Sequence, residues 1–228
     1  MSNAHALIIF AKAPVPGQVK TRLQTHLSAE KCAELHASFI IDTIRIACRV
    51  EGADIFISCH PDVENPFFQK VAHNPEVRLI SQKGNDLGER MANAIRDTLS
   101  AGYKKVIIIG SDSPDLPPEY IQEGFRRLES SDMVIGPSTD GGYYLIGGIK
   151  ELPVFDGIPW SSNKVFEMTL KKVRGHGLIF SVLNEWYDID TWEDLQRFRV
   201  QSNQKNGEPP GDRTQDHLIK SQVLYQLS

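Results

Sequence analysis

Seven short β-rich runs, each separated from the next by a turn or a helical pattern, constrain this chain more than any other feature. They are Ala6–Ala11, Asp54–Cys59, Val77–Ser81, Lys105–Gly110, Met133–Gly136, Tyr143–Gly147 and Leu178–Leu183. The first (ALIIFA) and fourth (KVIIIG) are apolar almost throughout. That pattern suits strands buried on both faces of a parallel sheet, because a strand with one wet face would alternate. Helical periodicity fills much of the space between. Ser28 can cap a helix to about Cys48 that keeps Cys32, Leu35, Phe39, Ile40 and Ile44 on one face. Further helices are predicted over Asp86–Leu99, from Pro117–Pro118 to about Leu128, and over Asn163–Val173 behind Ser162. Thr191-Trp-Glu-Asp194 reads as a capping box before a last helix. Strands alternating with helices imply right-handed crossovers around a mostly parallel sheet, hence one α/β domain over residues 1–200.

Composition narrows the partners. Lys plus Arg number 25 against 29 Asp plus Glu, a net charge of −4. A dominant basic face for nucleic acid or an anionic membrane is therefore not expected. Cys32, Cys48 and Cys59 form no CxxC pair and no zinc spacing, so buried thiols in a reducing cytoplasm are expected. The chain has no apolar run near the ~20 residues of a membrane span and no basic leader before Ala6. From about Gln201 the sequence turns polar and aperiodic, and a disordered tail, 201–228, is expected there. Its GDRTQDHLIKSQVLYQLS is similar to a translated tRNA gene, as a read-through extension would be.

Five segments carry chemistry-bearing residues. After the first run, FAKAPVPGQVKTRL places Lys12, Lys20 and Arg22 around a Pro/Gly loop with Gly17 at its turn. Ligands bind at the carboxyl ends of strands in open α/β sheets, and cations with backbone N–H groups suit a polyphosphate. Neither GxGxxG nor the P-loop spacing occurs, since Val19 precedes Lys20. IGSDSPDLP ends the fourth run in Asp112, a candidate ligand for Mg²⁺ or Mn²⁺, with Asp115 read as a helix cap. In YDIDTWEDL, Asp188 and Asp190 share one face of an extended segment, which can complete a metal site begun by Asp112. Asp140-Gly141-Gly142 is a hairpin turn signal, while Gly147 and Gly148 imply a close backbone approach, to a ligand or to something else. KGNDLGERM starts a helix at Asp86 and offers Arg90 to a substrate anion.

Taken together, FAKAPVPGQVKTRL, GNDLGERM, GSDSPDLP, PSTDGGYYLIG, IPWSSNKV and YDIDTWEDL resemble the bacterial DUF2064 proteins, also labelled rSAM/selenodomain-associated transferase 1, over about residues 6–199. A more distant similarity is to small nucleotidylyltransferases such as phospholactate guanylyltransferase. The resemblance implies the nucleotide-diphospho-sugar transferase (GT-A) fold, a Rossmann-related three-layer sandwich, with a nucleotide-bound donor and a divalent cation, Mg²⁺ or Mn²⁺. By it, Lys12, Lys20 and Arg22 would bind donor phosphates, and Asp112 and Asp190 the metal. Trp192 departs from the related pattern, which usually has Pro there. The leading expectation is glycosyl transfer from a nucleotide sugar to an unknown small-molecule acceptor, with Asp140 as the base. Nucleotidylyl transfer from an NTP to a small phosphorylated substrate is the alternative, and a catalytically silent nucleotide-binding subunit the third.

Overall fold

A computed structural model describes residues 4–205. All seven apolar runs are strands: β1 His5–Lys12, β2 Ala53–His60, β3 Val77–Ser81, β4 Lys105–Gly110, β5 Met133–Pro137, β6 Tyr143–Gly148 and β7 Phe180–Val182. They form one sheet in the order β3-β2-β1-β4-β6-β5-β7. β6 is antiparallel to both β4 and β5, and the other pairings are parallel.

The apolar runs of β1 and β4 are explained by their central position. Leu7, Ile9, Ile107 and Ile109 face one core, while Ala6, Ile8, Val106 and Ile108 face another. Successive side chains on a strand point to opposite faces, so each strand serves both cores. Helices α1 (Ala29–Ala47) and α4 (Pro118–Arg127) cover the first face through Ile40, Ile44, Ile121 and Phe125. Helices α3 (Leu87–Ser100) and α5 (Val165–Gly175) cover the second through Met91, Ile95, Leu170 and Val173. The result is the expected three-layer α/β sandwich. A third, smaller cluster joins Leu23, Leu35 and Phe39 to Tyr187, Ile189 and Phe198, and so pins the first loop to the YDID segment.

Several local expectations shift. A six-residue α2, Pro66–Val71, falls where no helix was predicted. The turn after Lys20 is a 3₁₀ helix, Thr21–Thr25, too short to show periodicity. The helix behind Ser162 starts at Val165, although Ser162 Oγ does accept the Lys164 N–H at 3.3 Å. Asp115 does not cap α4, whose N-cap is Pro117; its carboxylate accepts the Tyr187 hydroxyl at 2.5 Å. The close approach at Gly147 is to the sheet, since a Cβ there would lie 2.6 Å from the Val106 carbonyl on β4. The last helix, α6, runs over Trp192–Lys205, past the boundary expected at residue 200. The Gln201 side-chain amide lies 2.8 Å from the same Tyr187 hydroxyl. The tail expected beyond it lies largely outside the described residues. Among those residues no helix is long and apolar enough to cross a membrane.

Candidate active site

The chain leaves β1 towards β2 and β3 on one side, then crosses to β4 on the other. The sheet's switch point therefore lies between the carboxyl ends of β1 and β4, where α/β sheets of this kind bind ligands. The first loop and Asp112 both emerge there, since Phe10 and Gly110 are register partners at the ends of the paired segment.

Val19 and Leu23 are buried, and Lys20 between them adopts a left-handed backbone, φ 47°. This anchoring turns the Lys20 side chain inwards, leaving it only 2% exposed. Its ammonium donates to Asp112 Oδ1 at 2.6 Å, to Asp190 Oδ1 at 2.9 Å and to the Ile189 carbonyl at 2.6 Å. The Ile189 N–H meanwhile bonds the Asp112 carbonyl at 2.9 Å, tying the YDID segment to the loop after β4. Asp112 and Asp190 thus converge although 78 positions separate them in sequence (190 less 112). Burial alone would lower the Lys20 ammonium, but the two carboxylates hold it above its ordinary range. Burial would raise the Asp112 carboxyl, yet Lys20, followed by His36, holds it below the usual carboxylate range.

The remaining basic residues take other positions. Lys12 is exposed and its ammonium donates to the Gln18 carbonyl at 2.9 Å, closing the loop on itself. Gly17, at φ +79°, makes the turn with open space around its Cα, so a ligand can approach the backbone there. Arg22 is exposed. Arg90 bonds the Gly84 carbonyl at 3.1 Å and lies 3.2 Å from His60 Nδ1. His60 ends β2 and is the register partner of Lys12, so Arg90 stands one strand away from the start of the first loop. Burial, then the charges of Arg90 and Lys12, lower the His60 imidazole, as a cationic rim would.

Asp140 is exposed in the β5–β6 turn, where Oδ1 accepts the Gly142 N–H at 2.9 Å. Two further polar residues stand at the site: Asp188, expected only to share a metal-binding face with Asp190, and His36, which the sequence left unassigned. Asp188 accepts the Ser113 hydroxyl at 2.6 Å and the Ser138 hydroxyl at 3.0 Å. Burial and the nearby Asp112 charge push its carboxyl up to about 6 against those two hydrogen bonds. His36 is buried on α1, with Nε2–H donating to the Lys12 carbonyl at 3.0 Å and Nδ1 3.8 Å from Asp112 Oδ1. Its signal was a polar residue four positions after Cys32 and four before Ile40, on an otherwise apolar stripe. A cleft of about 240 Å³ opens beside Asp112 and Asp188, lined also by Phe10, Met91, Gly110 and Tyr143.

A divalent cation fits Asp112 and Asp190. Both supply hard oxygen donors, both Oδ1 atoms reach one ammonium, and each side chain is 40% exposed. Among the described residues no third acidic, His or Cys side chain completes a cage. That suits Mg²⁺, which takes one or two carboxylates and draws further ligands from substrate phosphates.

Residues 43–162 match the family described as "Uncharacterized protein conserved in bacteria (DUF2064)". This chain belongs to the DUF2064 family. A crystal structure of a proposed nucleotide-diphospho-sugar transferase from Desulfovibrio desulfuricans G20 superposes on this DUF2064 chain with a TM-score of 0.82. The two are 35% identical, covering 99% of this chain and 98% of that one. The 2-phospho-L-lactate guanylyltransferase of Methanocaldococcus jannaschii is 27% identical over 197 residues, 86% of this chain and 83% of the relative. A nucleotidyl transfer enzyme from Methanothermobacter thermautotroptrophicus shares the fold at TM-score 0.59 and 12% identity, covering 89% and 99%. The DUF2064 fold is thus that of nucleotide-using transferases.

Proposed function

We propose that this protein is a metal-dependent transferase of nucleotidylyl groups, moving an NMP unit from an NTP to a small phosphorylated acceptor. The observation that carries this reading is the convergence of Asp112 and Asp190 beside a cationic loop at the sheet's switch point. In it the carboxylates would hold Mg²⁺ or Mn²⁺, which offsets charge developing on the leaving phosphates. Lys12, Arg22 and Arg90 add positive charge around the phosphates, and the backbone at Gly17 approaches them. A phosphate acceptor is already ionised, so no residue has to remove its proton. The environment of Asp140 agrees, because an exposed carboxylate bonded within its own turn behaves as a turn residue. Asp188, which lines the cleft beside Asp112, has both oxygens engaged by serines. The guanylyltransferase relative catalyses transfer of this class by its name.

Glycosyl transfer is the second reading, favoured by the 35% identity to the Desulfovibrio protein across nearly the whole chain. Incubation with a panel of NTPs and nucleotide sugars, in Mg²⁺ and a mixture of phosphorylated acceptors, separates the two. Pyrophosphate release from an NTP is the expected result. Release of nucleoside diphosphate from a nucleotide sugar, with no pyrophosphate from any NTP, overturns it in favour of glycosyl transfer.

A further inference from the structure

Lys20 stands where a ligand of the carboxylate pair would stand. Its three N–H donors are all used, on Asp112, on Asp190 and on the Ile189 carbonyl, and the ammonium also packs 5.3 Å from the centre of the Phe39 ring. The left-handed backbone at Lys20 and the buried Val19 and Leu23 on either side direct it there. The carboxylates are not hidden behind it, since each remains 40% exposed. Both face the Lys20 ammonium, and Asp112 also lines the open cleft.

Charge balance gives this arrangement a consequence. Lys20 already offsets one of the two carboxylate charges and fills the point on which both Oδ1 atoms converge. A divalent cation arriving alone is repelled by that ammonium, with Lys12 and Arg22 exposed on the same loop. In a partly buried site such repulsion is poorly screened. An ion that arrives with a polyphosphate brings its own compensating charge.

We propose that Lys20 is the resident counter-ion of the Asp112–Asp190 pair, so that the nucleotide-free protein binds free divalent cation weakly and takes it up together with a polyphosphate. The proposal rests on the reading of Asp112 and Asp190 as cation ligands. It makes Lys20 a positioning residue that keeps two like charges together before substrate arrives.

Electron paramagnetic resonance of free Mn²⁺, titrated with full-length protein in the absence of nucleotide, tests it. The Lys20→Met protein is expected to bind Mn²⁺ at least about tenfold more tightly than wild type. Adding Asp190→Asn should abolish the gain, while Lys20→Arg, which keeps the charge, should stay near wild type. A purely structural lysine would leave Mn²⁺ affinity unchanged or lowered in Lys20→Met, and either result overturns the proposal. Wild-type protein gives an independent reading should Lys20→Met fail to fold. Its melting temperature should rise clearly with Mg²⁺ and inorganic tripolyphosphate together and little with either alone, since stabilisation follows ligand occupancy. A full rise with Mg²⁺ alone overturns the proposal. Failure of the underlying reading looks different, because Asp190→Asn would then bind manganese tripolyphosphate as tightly as wild type.

Discussion

Asp188 holds its carboxyl between the Ser113 and Ser138 hydroxyls, close enough to Asp112 and deep enough to titrate near 6 rather than in the ordinary carboxylate range. Its folded pKa lies above the unfolded value of about 3.9. Between pH about 4 and 6 the folded state therefore keeps a proton that the unfolded state has released. Stability falls as pH rises through that window and levels off above it. Asp188→Asn removes this contribution, worth on the order of 1–3 kcal/mol. Urea midpoints measured from pH 4 to 7 with EDTA present should fall less steeply for Asp188→Asn than for wild type. Parallel profiles would show that Asp188 titrates normally. The sequence made Asp188 and Asp190 visible as a pair on one face, but not their separate tasks. Only the fold shows that one meets two serines and the other a lysine.

At the scale of elements, the first loop divides its cations. Lys20 points inwards, while Lys12 and Arg22 remain exposed. Replacing Lys12 and Arg22 together with Met should weaken NTP binding about tenfold or more, since charge-assisted bonds to phosphate contribute about 1.5–3 kcal/mol each. Affinity for the free nucleoside should not change, and equilibrium dialysis of both ligands checks the contrast. Equal losses for both would mean damage to the loop rather than lost phosphate contacts. β1 and β4 were legible because burial on both faces leaves continuous apolar runs, and Asp86 and Thr191 announced their helices by capping chemistry that the structure realises. The inward turn of Lys20 was not legible. Three cations in fourteen residues look alike in sequence, and what singles one out is a backbone angle and a carboxylate pair contributed by the loop after β4 and the YDID segment.

Across the whole molecule, α6 closes the third cluster by packing Leu195 and Phe198 against Phe39 and Ile189, and so holds the Asp190 segment against the first loop. A chain ending at Val200 loses the polar contact between the Gln201 amide and the Tyr187 hydroxyl, worth about 1 kcal/mol, and should melt about 2–4 °C lower than one ending at Lys205. Identical midpoints would place the boundary back at residue 200. Sheet order, which no pattern in the chain reveals, sets the site by putting the ends of β1 and β4 side by side. The most direct test of the carboxylate centre is calorimetric titration of NTPs into wild type and Asp112→Asn, each with Mg²⁺ and with EDTA. Wild type should bind its preferred NTP at least about tenfold more tightly with Mg²⁺, and Asp112→Asn, checked to be folded, should show no such difference. An undiminished Mg²⁺ effect in Asp112→Asn would contradict a cation centre built on Asp112.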